Sequence, residues 1–391
     1  MRSLASVAQT MPGSGIREIV NLAVTMPDVI RLEVGEPNFP TPPHIVEGAI
    51  RGVQAGFTKY TQSCGLLSLR ELLAQRVTRV NGVAVTADQV NVTVGGVEGV
   101  LAAIVAVVEK DEEVLIPDPA WPNYEMSVLA HEAVPVRYPL RIERGFVPQI
   151  EDLEPLVTPR TKLLIVNSPC NPTGAVFPRE TVQALVEFAQ RHDLWLLADE
   201  VYDELVFEGE HVSPAIYDPE RVISIYSFSK TYAMTGWRIG YVVANREASQ
   251  VIMKLQEPFI SSVAGLVQKA AEAALTGPQD CVREMRDSYH ERRDAVVDVL
   301  KKHGSYMYTP HGAFYVMVDV SDSGLNSRDF ALALLRDRSV AVAPGTAFGS
   351  VGSHTVRVSL ATEKSQLIEG VTRLCDYAHE VSATLRTRVY G

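Results

Sequence analysis

The stretch LLIVNSPCNPTGAVFPRETVQALVEFAQRHDLWLLA occupies residues 163–198 and decides the fold. It begins with the β-branched and apolar run 163–167 and ends with the apolar run 194–198. Between them, residues 180–192 have the length and apolar periodicity of an amphipathic helix. A strand, a helix and a second strand in this order are typical of two parallel strands covered by a helix.

The same alternation recurs along most of the chain. Further helix-length amphipathic segments occupy residues 66–80 and 97–109. Because parallel sheets are covered by helices on both faces, we expect an α/β protein with a mainly parallel seven-stranded sheet. The strand-like runs are 90–94, 113–116, 134–138, 163–167, 194–198, 222–226 and 239–243.

The pattern changes after Pro278, which indicates a second, smaller domain. A long charged helix extends to Lys302, followed by a run at 314–318, a helix at 327–338, runs at 340–343 and 356–360, and a terminal helix. That order is typical of an α+β domain. We therefore predict an N-terminal arm and crossing segment at 1–44 that packs with the small domain, a large domain at 45–277 and a small C-terminal domain at 278–391.

Composition excludes several classes of protein. The 391 residues are 46% hydrophobic and 21% charged, as in ordinary globular proteins. The net charge of −11 disfavours binding to nucleic acid or anionic membranes. The longest apolar run, at 100–108, is much shorter than the roughly 20 residues that span a bilayer. We expect neither a nucleic-acid partner nor a membrane partner.

The cysteines and the N-terminal residues indicate the cellular compartment of the protein. Cys64, Cys170, Cys281 and Cys375 are far apart, which predicts reduced, buried thiols and no metal site. The N-terminus lacks the apolar core of a signal peptide, and Pro12 and the glycines after it break any targeting helix. These features predict a cytoplasmic protein, with a mitochondrial presequence as the alternative.

Common nucleotide, zinc and hydrolase motifs are missing from the sequence. Gly95 and Gly96 instead join a predicted strand to a predicted helix, where free N–H groups suit one phosphate. Four further polar loops follow predicted strands, at 167–174, 198–202, 227–230 and 236–238. The carboxyl ends of such strands meet at one edge of the sheet, where ligands bind. Asp199 follows a buried run directly and therefore needs a cation.

These residues also match a family. The chain resembles the fold type I pyridoxal 5'-phosphate (PLP) aminotransferases, specifically the class I subgroup that holds aspartate and aromatic aminotransferases. The resemblance covers nearly the whole chain and implies a PLP-dependent transferase of fold type I that works by a ping-pong mechanism. Its motifs are VGEP at 34–37, KYT at 59–61, NSPCNPTG at 167–174, DEVY at 199–202, SFSKT at 227–231, MTGWR at 234–238 and GAFY at 312–315.

The resemblance implies catalytic and cofactor roles for individual residues. Lys230 is similar to the lysine that forms a Schiff base with PLP and then moves a proton. Asp199 would pair with the protonated ring nitrogen, and Tyr202 and Asn171 would hydrogen-bond the phenolate oxygen. Trp121 would stack on the ring. The phosphate would be held by Arg238, Ser227, Ser229 and the turn of Gly95, Gly96 and Val97.

Substrate and partner contacts are implied in the same way. Arg357 resembles the arginine that binds the substrate α-carboxylate, with Gly35 giving a backbone contact. Tyr60 and Ser261 occupy positions that reach the phosphate of a neighbouring subunit in the family. The resemblance therefore implies a homodimer with shared sites.

Two positions depart from the aspartate-specific pattern. Members that act on aspartate commonly have Lys and Gln after the Gly-Gly pair, whereas this chain has Val97 and Glu98. An apolar side chain in place of the cation leaves a distal carboxylate unpaired, so we expect a neutral or aromatic amino acid as substrate. Glu98 also suggests a cationic substrate.

Other functions remain open at this point. The alternatives are an aspartate aminotransferase, a PLP-dependent lyase or oxidase on the same scaffold, and a cofactor-binding protein without catalytic activity. Lys230, Asp199 and Arg357 together weigh against the last of these.

Overall fold

The computed structural model describes residues 2–390, and the side chains of residues 2–383. The strands are β1 (Ile30–Arg31), β2 (Val90–Thr93), β3 (Glu113–Asp118), β4 (Val134–Pro139), β5 (Thr161–Asn167), β6 (Trp195–Asp199), β7 (Val222–Ser227), β8 (Gly240–Val243), β9 (Tyr315–Asp319), β10 (Val340–Ala341), β11 (Ala343–Pro344) and β12 (Thr355–Ser359). The helices are α1 (Ser6–Thr10), α2 (Gly15–Val24), α3 (Pro43–Gln54), α4 (Leu67–Asn81), α5 (Gly95–Val107), α6 (Asn123–Ala130), α7 (Ile150–Leu153), α8 (Arg179–Arg191), α9 (Phe228–Thr231), α10 (Arg246–Ile260), α11 (Gly265–Thr276), α12 (Asp280–Lys302), α13 (Ser327–Arg338) and α14 (Lys364–Tyr390).

Seven strands form the central sheet, in the order β2-β8-β7-β6-β5-β3-β4. All neighbours are parallel except β8, which is antiparallel to both β2 and β7. The α/β class and the mainly parallel seven-stranded sheet predicted from the sequence are therefore confirmed.

Alternating side chains of the sheet enter two separate hydrophobic layers. Leu163 and Ile165 of β5 pack with α5, α6 and α10 on one face. Leu164 and Val166 pack with α4, α8 and α11 on the other face. Because successive side chains of a strand point to opposite faces, one apolar run supplies both layers.

The C-terminal part has a hydrophobic cluster of its own. A three-stranded antiparallel sheet, in the order β11-β12-β9, packs with α13 and α14. Ile19 and Leu32 of the N-terminal segment lie in the same cluster, and β1 pairs with β10. These contacts support the division at 1–44, 45–277 and 278–391, which we retain as a proposal.

One predicted strand differs from the structure. The sequence suggests a single run at 340–343, but the structure has β10 and β11, which belong to different sheets. The break at Val342 lets β10 pair with β1 while β11 pairs with β12. The chain thereby joins the N-terminal segment to the C-terminal sheet.

The cysteine prediction is correct in part. All four cysteines are free, but Cys64 and Cys281 are half-buried, whereas Cys170 and Cys375 are buried. No helix in the described part of the chain is long and apolar enough to span a membrane. Residues 2–383 also contain no group of three or more His, Cys, Asp or Glu side chains arranged to hold a metal ion.

A core substitution tests the placement of β5. Leu164 is fully buried, so Leu164→Ala removes apolar contacts and leaves a cavity. We expect the free energy of unfolding, measured by urea denaturation, to fall by about 2–5 kcal/mol. The control is Leu22→Ala on the half-exposed surface of α2, for which we expect a change within about 0.5 kcal/mol. Equal stability of the two variants would contradict the burial of Leu164.

Candidate active site

A cavity of about 580 Å³ lies at the carboxyl ends of β5, β6 and β7. Residues of the N-terminal segment and of β12 complete its wall. The structure thus brings together most of the residues singled out in the sequence, although they are far apart along the chain. The predicted residues that line the cavity are Gly35, Gly96, Val97, Trp121, Asn171, Asp199, Tyr202, Ser227, Ser229, Lys230, Arg238 and Arg357.

Asp199 is the last residue of β6 and is only 3% exposed. The Tyr124 hydroxyl donates a hydrogen bond to its Oδ2, and the Val201 N–H donates to Oδ1 at 3.2 Å. Burial raises the pKa of Asp199 to about 6, although these hydrogen bonds oppose the rise. Within residues 2–383, no cationic side chain forms an ion pair with this carboxylate. The site therefore has a buried anion that can accept a charged donor from a ligand.

Lys230 lies on the short helix α9, at the end of β7. Its Nζ donates a hydrogen bond to the Gly35 carbonyl oxygen at 2.6 Å. Burial, with the positive charges of Arg357 and Arg238, lowers the pKa of Lys230 to about 8, against the opposing effects of Glu36 and Asp199. The amine therefore loses its proton at much lower pH than an exposed lysine, as a nucleophile or base requires.

Arg238 forms one end of the cavity, with Gly95 directly behind it. Gly95 has a φ of +75°, and a Cβ there would lie 2.5 Å from Arg238 Nη2. Glycine thus lets the guanidinium approach the first turn of α5 closely. Arg238 is held by the Thr235 carbonyl oxygen, 2.9 Å from its Nη1.

Hydroxyl and backbone groups face the same end. The Ser227 hydroxyl lies 2.9 Å from the Ser229 hydroxyl, and both residues line the cavity together with Gly96 and Val97. The first N–H groups of a helix have no partner within the helix, so the start of α5 offers donors for an anion. Together with Arg238, these groups form a donor set suited to a phosphate.

Arg357 of β12 lies at the opposite side and is 3% exposed. Its Nη1 donates to Asn171 Oδ1 at 2.9 Å, and its Nη2 donates to the Glu33 carbonyl oxygen at 2.6 Å. The guanidinium carbon lies 4.3 Å from the centre of the Tyr315 ring and 4.7 Å from that of Phe348. Nη1 and Nη2 each carry a second N–H beyond these bonds, so the fork retains donors for a carboxylate.

Tyr202, Asn171 and Trp121 lie between these two ends. The Tyr202 hydroxyl is 3.0 Å from the Tyr315 hydroxyl. Burial raises the pKa of Tyr202 far above its usual value, so this phenol stays neutral and donates. Trp121 contacts Tyr124 edge to face, with ring centres 5.5 Å apart.

Some predicted residues do not line the cavity. Gly95 lies behind Arg238, and Tyr60 and Ser261 are exposed on another face of the chain. Glu98 is buried and accepts a hydrogen bond from the Val94 N–H, so it caps the start of α5. Glu98 does not line the cavity, and a cationic substrate stays a prediction that this geometry does not support.

Several cavity residues escaped the sequence analysis. Tyr315 is the last residue of the GAFY motif, and Tyr124 lies three residues after Trp121. A search for a hydrogen-bond donor to Asp199 would have pointed to these tyrosines. No motif in the sequence points to Arg17 or Arg31, which also line the cavity. They reach the cavity because Ile19 and its neighbours anchor the N-terminal segment in the C-terminal cluster.

The donor and acceptor set fits PLP. At one end, Ser227, Ser229, Arg238 and the start of α5 suit its phosphate. In the same cavity, the unpaired carboxylate of Asp199 suits a protonated ring nitrogen. Lys230 lies in the same cavity with a pKa of about 8, as attachment of an aldehyde requires.

Comparisons with known proteins agree with this geometry. The family model described as "Aminotransferase class I and II" matches residues 27–374. An aspartate aminotransferase of Pyrococcus horikoshii is 40% identical, over 92% of this chain and 93% of that protein. An aromatic-amino-acid aminotransferase of Thermococcus litoralis is 37% identical, over 92% and 94%.

A solved structure gives the same result at the level of the fold. The aspartate aminotransferase from Thermus thermophilus with maleate superposes with a TM-score of 0.92 at 37% identity, over 96% of this chain and all (100%) of that chain. Sequence and structure therefore agree over nearly the full length. The chain belongs to the class I and II aminotransferases.

Proposed function

We propose that this PLP-dependent aminotransferase takes an amino group from a neutral or aromatic L-amino acid and passes it to a 2-oxo acid. Amino-group transfer follows from membership of the family. The observation that carries the roles of individual residues is that Lys230, Asp199 and Arg357 line one cavity although they come from three separate parts of the chain. When bound, PLP supplies a sink for the electron pair left at the substrate α-carbon.

Arg357 binds the substrate α-carboxylate in this proposal. Its guanidinium is already oriented by Asn171 and the Glu33 carbonyl oxygen, so little conformational freedom is lost on binding. The remaining N–H groups of Nη1 and Nη2 supply donors to the carboxylate. The flanking Tyr315 and Phe348 rings exclude water and strengthen that interaction.

Lys230 then moves the proton. With a pKa of about 8, its Nζ is present in both protonation states near neutral pH and can take a proton from the substrate α-carbon and return one. Asp199 stays ionised beside the ring nitrogen, because a protonated nitrogen there offsets the cost of its burial. Tyr202 and Asn171 donate to the phenolate oxygen.

Replacing Lys230 distinguishes covalent attachment of the cofactor from its noncovalent binding. We expect Lys230→Ala to lose covalent attachment of PLP but to retain noncovalent binding, because Arg238 and the serines remain. The specific activity should fall by about 10²–10⁴-fold or more. Borohydride reduction followed by mass spectrometry measures attachment, and exposed Lys302→Ala is the matched control. Wild-type turnover by Lys230→Ala would contradict the role of Lys230.

The preference for a neutral side chain rests on Val97. Val97 lines the cavity, and its apolar side chain offers no partner to a distal carboxylate. A specific observation favours the second candidate, an acidic substrate. Arg17 lines the same cavity and forms no ion pair with any side chain of residues 2–383.

Two substitutions decide between these substrate classes. We expect Val97→Lys to raise kcat/KM for aspartate relative to phenylalanine by about tenfold or more, since it adds a cation for the distal carboxylate. Arg17→Gln should leave kcat/KM for phenylalanine unchanged. A wild-type enzyme that prefers aspartate, and loses that preference in Arg17→Gln, would favour the acidic substrate instead.

We further propose a homodimer in which Tyr60 reaches the site of the neighbouring subunit. Tyr60 is 90% exposed and cannot serve the cavity of its own chain, which it does not line. The next residue, Thr61, is held by Ser262 and by the Val263 carbonyl oxygen, so this segment is fixed beside Ser261. A cytoplasmic location, supported by the free cysteines, completes the proposal.

Mixed dimers test the shared site. Tyr60→Ala should weaken PLP binding about tenfold or more, the effect of losing one hydrogen bond to a charged group. Lys230→Ala homodimers should be inactive. Mixing the two variants should create dimers with one complete site, in which the Lys230→Ala chain lends its Tyr60, and activity should recover. Exchange of subunits without any recovery would contradict the role of Tyr60.

A further inference from the structure

A second layer of buried polar side chains lies directly behind Asp199. Glu200 is 1% exposed, and its Oε2 is 2.7 Å from His211 Nε2. Its Oε1 accepts hydrogen bonds from the Ser213 hydroxyl at 2.9 Å and from the Tyr226 hydroxyl at 3.1 Å. Both oxygens of this carboxylate are therefore held, and His211 is the partner that can carry a compensating charge.

His211 is in a position to be a cation. Burial alone would lower the pKa of His211, but the hydrogen bond and the negative charge of Glu200 outweigh burial and raise it. Two other charged groups act on the imidazole: Asp203 favours the cation and Arg76 opposes it. A doubly protonated imidazole would form with Glu200 a buried ion pair whose charges cancel.

The charge of Glu200 acts on the carboxylate of Asp199. Asp199, Glu200 and His211 line one small cavity, whose other residues are apolar except Ser168. Burial is the main cause of the raised pKa of Asp199, and the negative charge of Glu200 adds to it. In such an apolar environment a charge is poorly screened, so a Glu200 without a counter-ion would favour protonated, neutral Asp199.

We propose that His211 is a positioning residue for the cofactor: as a cation it neutralises Glu200 and thereby leaves Asp199 ionised to bind the ring nitrogen of PLP. The inference rests on the proposed role of Asp199 and adds a residue that never touches the cofactor. A purely structural role is the competing explanation. In that case His211 would only anchor its loop to Glu200 by a hydrogen bond.

Charge-balanced variants separate these two roles. Gln places an amide near the position of Nε2, so His211→Gln keeps a hydrogen-bond donor to Glu200 but removes the charge. The double variant Glu200→Gln/His211→Gln removes both charges and leaves a weaker amide pair. The dissociation constant of PLP from each full-length holoenzyme, measured by equilibrium dialysis near neutral pH, is the readout.

The charge proposal predicts a specific order of affinities. His211→Gln should bind PLP about tenfold more weakly or worse, because a Glu200 without a counter-ion leaves only a minor fraction of Asp199 ionised near neutral pH. The double variant should return to within about threefold of the wild type. An anchor would give the reverse order, with His211→Gln near wild type and the double variant weaker, and that result would overturn the proposal.

Asp199→Asn distinguishes failure of this inference from failure of the proposed function. It should also weaken PLP binding about tenfold or more, because it removes the charge itself. If Asp199→Asn binds PLP as tightly as wild type, the role of Asp199 fails, and the inference about His211 fails with it. If Asp199→Asn binds PLP weakly but His211→Gln binds it as tightly as wild type, only the inference about His211 is overturned.

Nuclear magnetic resonance of wild-type holoenzyme gives a test that does not depend on folding of a variant. With 15N-labelled histidine, both ring nitrogens of His211 should carry protons near neutral pH, and the signal is assigned by its loss in His211→Gln. A neutral imidazole at that pH would overturn the proposal.

Discussion

The arrangement of the active site depends on one buried carboxylate, that of Asp199. It ends a central strand of a sheet covered on both faces, where a charge is costly unless a partner is present. Tyr124 and the Val201 N–H meet part of that cost, yet burial still raises the pKa of Asp199 to about 6. In the proposed function, a protonated ring nitrogen of PLP would supply the missing cation. The fold therefore leaves the Asp199 carboxylate without a cationic partner when no cofactor is bound.

The remaining charges are separated along the cavity so that each meets a different part of the ligand. Arg238 and the start of α5 collect donors at one end, whereas Arg357 lies at the other, between two aromatic rings. Lys230 lies in the same cavity, where burial and these two cations lower its pKa to about 8. The carboxyl ends of β5, β6 and β7 meet β12 at this cavity. This arrangement both separates the charged groups and lowers the pKa of Lys230.

The sequence predicts those features that local pattern or motif determines. The unit β5-α8-β6 was recognisable because strand and helix periodicities differ, and helix α13 occupies the predicted residues 327–338. Features that depend on packing between distant segments were not predictable. The Tyr124 bond to Asp199, the approach of Arg17 to the cavity and the split of residues 340–343 into two strands all follow from tertiary contacts. The bond of Glu98 to the Val94 N–H at the start of its own helix was likewise not predictable from a motif.

The protonation state of the cofactor ring nitrogen is the most direct test of the role of Asp199. Holoenzyme containing PLP labelled with 15N at the ring can be measured by solid-state nuclear magnetic resonance near neutral pH, with Asp199→Asn for comparison. An ionised Asp199 predicts a protonated nitrogen in the wild type and loss of that proton in the variant. An unprotonated nitrogen in the wild type, or the same state in both proteins, would contradict the account.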